Sequence, residues 1–274
     1  MSDPRTLAMD ESRGSSALAV RSSSPVTGRR PEDVGGLALV DEEVEQRLAV
    51  TARSLLDDLL DVPLHGPELR TRLTGLIRLG DAPMHEVGDS VARVLRRPTG
   101  ALSGGEDPVA RTGAVLAEVR QLVVERDLAR HVPAPPAGVE QLDALTRDLL
   151  RGQDALRHDN AALQTERDAL WQSLGRLADT AVLVRLLGDG LERRVAALRA
   201  QGRSDDATTL ESDALLAVRR NHQDLLTQLA VGVQGYLALD VVRRTNVELV
   251  ESVDRALDTV AALRVAAMVD LGRS

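Results

Sequence analysis

No cysteine occurs among the 274 residues. Disulfides, thiolate nucleophiles and cysteine-based metal sites are therefore excluded. Lysine is absent too, and all 34 basic residues are Arg. Phenylalanine is missing, and one Trp and one Tyr make up the whole aromatic set. Sheet cores draw on aromatic and β-branched bulk, so a thick α/β or β-sandwich core is disfavoured. The apolar residues, 43% of the chain, are mainly Leu, Val and Ala, with four Met and a single Ile. Leu and Ala are strong helix formers, which points to helices joined along slim seams. The net charge of −8 lacks the basic surplus of a general nucleic-acid binder. The opening "MSDPRTLAMDESRG" has no basic start followed by an apolar run, so no signal peptide is expected and the cytoplasm is the expected location.

Proline is missing over a long span. All eleven lie at or before Pro136. Proline costs roughly 3 kcal/mol in a helix interior, so residues 137–274 are free to form very long helices. The N-terminal part divides differently. Residues 1–38 are rich in Ser, Arg, Gly and Pro and bury too little apolar surface to offset chain entropy; they read as a disordered tail. Residues 39–131 form a smaller helical region. Within it "DEEVEQRLAVTARSLLDDLLD" has helical apolar spacing, with acids where the helix dipole favours them. "PELRTRLTGLIRL" and "PMHEVGDSVARVLRR" read as shorter helices, "TGALSGGED" as a loop, and 108–130 as another helix. Residues 132–139, "VPAPPAGV", read as a stiff linker.

From residue 140 to 274 the pattern is one of two long arms. Leu142, Leu149, Leu156, Leu163, Leu170, Leu177, Val184, Leu191 and Leu198 recur every seven residues, the spacing of a coiled-coil seam. The positions three residues further on are poor: Gly152, Asp159, Glu166, Ser173 and Thr180. A partner helix could therefore approach closely, and a plain two-stranded zipper does not fit. "AQGRSDDATT" interrupts the pattern. Gly202 suits the end of one helix, and Ser204, Asp205 or Asp206 the cap of the next. A second apolar pattern runs from Leu210 to Leu271. The expected fold is all-α, a long antiparallel helical hairpin or coiled-coil bundle.

Within the second arm "NHQDLLTQLAVGVQGYLALDVV" is nearly apolar for a dozen residues. A bilayer span needs about 20 such residues, and Asp240, Arg243 and Arg244 close the run, so a buried helix face is expected instead. Ala230, Gly232, Gly235 and Ala238 suit a close helix contact. A fold about residues 203–204 brings Tyr236 to Trp171 and Glu166 to Arg243.

Candidate chemistry is sparse. His65, His85, His131, His158 and His222 are scattered, with no pair at metal-binding spacing; no metal site and no cofactor is expected. The pairs Arg193–Arg194, Arg219–Arg220 and Arg243–Arg244 could grip an oxyanion bidentately, although salt bridges to the neighbouring arm are the ordinary use of such flanks. Asp159 and Asn160 place polar groups on the ladder side of the first arm, near the level of Asn246, Glu248 and Glu251 on the second. A polar residue in a seam fixes register at a cost in stability, and it can also serve as a ligand or partner site.

The run "QDLLTQLAVGVQGYLALDVVRRTNVELVESVDRA" resembles the most recognisable block of the TelA-type toxic anion (tellurite) resistance family. "LRHDNAALQTERDALWQSLGRLADTAVLVRLLGDGLERRVAAL" and "PMHEVGDSVARVL" add weaker similarity, so that the likeness covers residues 82–97 and 140–268. The chain stops at "AAMVDLGRS", where family members commonly continue with more helix. The resemblance implies an all-helical cytoplasmic stress-response protein. It singles out Arg219, Gln223, Gln228, Gln234, Tyr236, Asn246, Glu248, Asp254 and Arg264 as partner- or ligand-binding residues, beside the seam residues Asp159 and Asn160. The expected role is non-enzymatic: a helical interaction module for protein partners, among them other tellurite-resistance-type stress proteins, with a homo-oligomer as one form. The alternatives are an oxyanion- or metal-sequestering protein and a coiled-coil scaffold at the cell envelope. No nucleic acid and no membrane span are expected.

Overall fold

A computed structural model describes residues 41–96, 108–129 and 139–271. The tail 1–38, the "TGALSGGED" loop and the linker 132–139 apart from Val139 lie outside the described residues. The described residues are all-α, with no strand among them. In order they form α1 (Glu42–Leu60), α2 (Pro67–Ile77), α3 (Asp81–Arg96), α4 (Pro108–Ala129), α5 (Val139–Ala200), α6 (Ser204–Thr209), a π-helical turn (Leu210–Leu215) and α7 (Leu216–Leu271). The proline-free half becomes two helices of 62 and 56 residues. The described residues divide into two compact units, 41–83 with 175–227, and those between 84 and 174 with 228–271.

In the first unit α1 opens with Glu42, Glu43 and Glu45 in its first turn, where carboxylates meet the positive helix end. Pro67 starts α2, at the position where its missing N–H is not needed. Leu59, Leu69, Leu73 and Leu76 are buried. α1 meets the last turns of α5 so closely that a Cβ on Gly190 would lie 2.8 Å from Leu56 Cδ2. Arg185 of α5 reaches Glu45 of α1 at 2.7 Å.

The turn after α5 is a Schellman motif. Gly202 has φ +76°, Gly202 N–H donates to Arg199 O at 3.0 Å and Arg203 N–H to Leu198 O at 2.9 Å. The left-handed conformation is open to glycine without a Cβ penalty. The cap expected on α6 is not made: Arg203 occupies the N-cap position, without a side-chain hydrogen bond. Asp206 turns instead to Arg203 Nε at 2.7 Å and His65 Nε2 at 2.9 Å. The Arg203 hydrogen bond, and to a lesser degree His65, holds its carboxyl below 3.8 against the opposing effect of burial. The π-helical turn that follows buries Leu210, Ala214 and Leu215.

In the second unit α5 and α7 run antiparallel, and α3 and α4 pack against them. Leu116 and Val119 of α4 share a core with Leu142, Leu145 and Leu149 of α5 and Val253, Ala256 and Val260 of α7. Across both units all nine ladder residues are buried, none more than 1% exposed.

The poor companion positions also acquire a reason. A Cβ on Gly152 would lie 2.5 Å from Thr112 Oγ1 of α4, and Ser173 donates to Glu86 Oε2 of α3 at 3.3 Å. In the first unit a Cβ on Gly80 would lie 3.3 Å from Thr180 Cγ2. At Gly152, Ser173 and Thr180 a further segment lies against α5, whereas Asp159 faces Asn246 of α7.

The apolar stretch of α7 is divided between two faces. Gly232 and Gly235 are buried against α3: a Cβ on Gly232 would lie 2.6 Å from Val87 Cγ1, and one on Gly235 2.8 Å from Val91 Cγ2. Ala230 and Ala238, expected in the same contact, are exposed. Ala230 is two positions from Gly232 and so turns to the opposite side of the helix. Among the described residues one helical stretch, Ser204–Val269, is long and apolar enough over an 18-residue window to cross a membrane; 22% of that window is buried.

Candidate functional site

The polar groups of the α5–α7 seam gather in the second unit. Asn246 is 0% exposed, and its Nδ2 donates to Asp159 Oδ2 at 2.8 Å. A carboxylate only accepts hydrogen bonds, so Asp159 dictates which end of the Asn246 amide faces it. The other end, Asn246 Oδ1, is buried and finds no hydrogen-bond partner, as does Asn160 Oδ1. Such a group costs about 1–3 kcal/mol. This node therefore lowers stability locally while selecting one alignment of the two helices.

A second layer lies further along the same seam. Trp171 and Tyr236 meet with ring centroids 5.2 Å apart, tilted by 45°, as the hairpin register requires. The Arg167 guanidinium lies over the Tyr236 ring, 4.8 Å from its centroid, a cation–π placement. Asp240 collects three guanidiniums: Arg244 at 2.8 Å, Arg243 at 3.6 Å and Arg167 at 3.8 Å. The Nε atoms of Arg167 and Arg243 are buried without a hydrogen-bond partner. Burial pushes the Tyr236 phenol above its ordinary 10.0; Arg167 and Arg243 oppose this, and Asp240 and Asp168 reinforce it.

The remaining candidates separate by position. Asp254 accepts from Gln153 Nε2 at 2.5 Å, and Arg264 reaches Asp143 at 3.0 Å; both are contacts from α7 to α5. In the first unit Arg219 pairs with Glu192 at 2.6 Å, the ordinary salt-bridge use of such a pair. Gln223, Gln234 and Glu248 are exposed, and Gln228 is half-buried. A Cβ on Gly88 would lie 3.5 Å from Gln228 Nε2. Glu248 is thus outside the buried node that its sequence position suggested, because it falls two residues from Asn246 and so on another face. Among the described residues no three His, Asp or Glu side chains gather in a metal-holding group.

Two structurally important polar residues carry little sequence signal. Asn221 is buried in the first unit and donates from Nδ2 to Leu79 O at 3.1 Å and Leu76 O at 3.4 Å. It satisfies carbonyls at the end of α2, which a helix terminus leaves open. Gln153, 4% exposed, is the partner of Asp254. Only the polar type of each residue within an apolar pattern marks it.

The outward surface of α7 is different in character. Val231, Leu237, Val241 and Val242 are all exposed. With Ala230, Gln234 and Ala238 they form an uncharged face that ends at Arg244.

Long antiparallel helices, supported by shorter ones and pinned by a buried polar node, define an all-α protein of the helical-hairpin class. Residues 138–273 match the model of the toxic anion resistance protein (TelA) family, and through this region the chain belongs to that family. The match takes in α5, α6 and α7 and leaves "PMHEVGDSVARVL" of α3 outside it. No curated protein and no solved structure matches the chain. Membership associates the chain with resistance to toxic anions.

Proposed function

We propose that the protein supports resistance to toxic anions such as tellurite as a non-enzymatic, cytoplasmic helical interaction module of the stress response. The observation that carries this reading is the uncharged outer face of α7, where Val241 is 64% exposed and Leu237 49%. Contiguous apolar surface of this kind marks contact with another macromolecule. It lies on the helix that also carries the most specific family block.

The test is tellurite tolerance in the native host. A deletion strain is compared with strains restored by the full chain or by the Leu237→Glu/Val241→Glu variant. Deletion is expected to sensitise the cells, the full chain to restore tolerance, and the double variant to fold and yet fail. Full restoration by the double variant would remove the interaction reading. A second reading, oxyanion sequestration, is favoured by the two unused Nε donors of Arg167 and Arg243. Calorimetry with tellurite on the full chain separates it from the first, since heat that disappears in Arg243→Gln would support direct binding.

A further inference from the structure

We infer that Arg167, Arg243 and Arg244 form a binding site for a small, doubly charged oxyanion of the phosphate class, and that Asp240 both gathers them and competes with that anion. The inference rests on the oxyanion reading given second above and gives it a location, a charge and an internal competitor. All four residues belong to the second unit, on α5 and α7.

The charges at this point do not balance. Three guanidiniums gather at one carboxylate, Arg167 and Arg243 at Asp240 Oδ1 and Arg244 at Oδ2. Two positive charges are left over there. Asp168, which follows Arg167, is exposed and accepts from Gln164 Nε2 at 2.9 Å, so it is occupied elsewhere.

The donors are unspent as well. The Arg167 side chain is 14% exposed, and its Nε, like that of Arg243, is buried with no hydrogen-bond partner. The Nη2 atoms stand 3.8 and 3.6 Å from Asp240 Oδ1, beyond the reach of about 3.2 Å typical of an N–H···O bond. A guanidinium taken out of water without acceptors is costly, and an oxyanion supplies acceptors and charge together. Tyr236 covers one face of the Arg167 guanidinium at 4.8 Å. The N–H edge is left, and that edge grips two oxygens of an oxyanion at once. Because the Nε atoms are closed to solvent, the anion enters past Arg244, 74% exposed, and Arg243 turns to meet it. The burial of Arg167 and Asp240 suits a small ion.

Asp240 has two opposing effects. It holds three like charges together, and it repels the anion that they attract. Its negative charge therefore sets the affinity of the site.

The experiment uses the full chain. Phosphate is titrated at constant ionic strength, balanced with chloride, which separates binding from screening. Heat is read by calorimetry. Emission is read from Trp171, the one Trp in the chain, whose ring lies 5.2 Å from that of Tyr236. The expected result is saturable binding of phosphate and of sulfate. Arg167→Gln and Arg243→Gln should weaken it by about tenfold or more, and Asp240→Asn should tighten it by about tenfold. Arg243→Lys keeps the charge without the planar fork and should fall between the wild type and Arg243→Gln. Circular dichroism checks folding. Should Arg167→Gln unfold, the opposite shifts of Arg243→Gln and Asp240→Asn decide.

The absence of any saturable response to millimolar phosphate or sulfate would overturn the inference. So would binding indifferent to Arg243→Gln, or binding that loosens in Asp240→Asn. Capture by phosphatidic acid vesicles without a response to free phosphate would place the anion on a lipid headgroup and overturn the small-ion assignment. Tellurite, titrated in the same way, separates the two claims. Heat from tellurite alone, lost in Arg243→Gln, leaves sequestration standing and removes the phosphate-class site. Heat from phosphate alone does the reverse, and silence from both removes both.

Discussion

Asn246 illustrates what a single side chain can decide. Its hydrogen bond to Asp159 spans 87 positions of sequence and holds α5 and α7 at one level in the second unit. Amide-to-carboxylate bonds are worth about 1.5–3 kcal/mol. A double-mutant cycle of Asn246→Ala and Asp159→Ala in urea should return a coupling of that size; additive losses would show that the pair is not coupled. His222 makes a second residue-scale case. Burial lowers its pKa below 6.5, Arg185 lowers it further and Asp189 opposes them. The folded state thus prefers the neutral ring. This contribution is fully present above 6.5 and is lost as the pH falls through the lowered folded value. The urea midpoint of the wild type should decline from about pH 8 to about pH 5 more steeply than that of His222→Gln. Equal slopes would assign the acid sensitivity to other groups.

Helices of this chain meet through residues that have little or no side chain. Gly232 admits Leu174 Cδ2, 2.5 Å from where its Cβ would stand, and Val87 Cγ1 at 2.6 Å. Alanine favours a helix interior over glycine by about 1 kcal/mol, but overpacking costs about 1–3 kcal/mol. Val87 is stiff at χ1 and cannot swing aside, so Gly232→Ala should destabilise the protein by about 1 kcal/mol net. Gly113 of α4 has nothing within 4 Å of its Cβ position. Gly113→Ala should therefore stabilise by about 0.5–1 kcal/mol. Thermal or urea unfolding of the two variants checks the opposite signs together. The heptad ladder told of the buried stripe of α5 from its spacing alone. The identity of the helices against its companion positions was not legible, since Thr112 and Glu86 belong to elements outside the repeat.

For the whole molecule the question is which surface is left without cover. Leu237 and Val241 are largely exposed, so replacing both with Glu removes little packing. The double variant should unfold within about 0.5 kcal/mol of the wild type. It should also bind less of a hydrophobic dye such as anilinonaphthalene sulfonate, which seeks exposed apolar surface. A large loss of stability would instead mean that these side chains are buried within the folded chain. The apolar run of α7 looked from its composition like one buried face. It is in fact shared between Gly232, Tyr236 and Leu239 on the packed side and Val231, Leu237 and Val241 on the exposed side.

The sequence by itself determined the helices, the turn and the long-arm register. Each follows from local chemistry: proline absent beyond Pro136, leucine recurring every seventh residue, and Gly202 free to take a positive φ. The meeting of Trp171 with Tyr236 followed from counting outward from that turn. Tertiary structure alone decided that α3 occupies the groove of Gly232 and Gly235, that Asn221 caps α2, and that Asp206 turns to Arg203 and His65 instead of capping its own helix. It also decided which half of α7's apolar surface stays outside. These choices depend on groups brought together from distant positions, and no periodicity within one helix records what the facing helix presents.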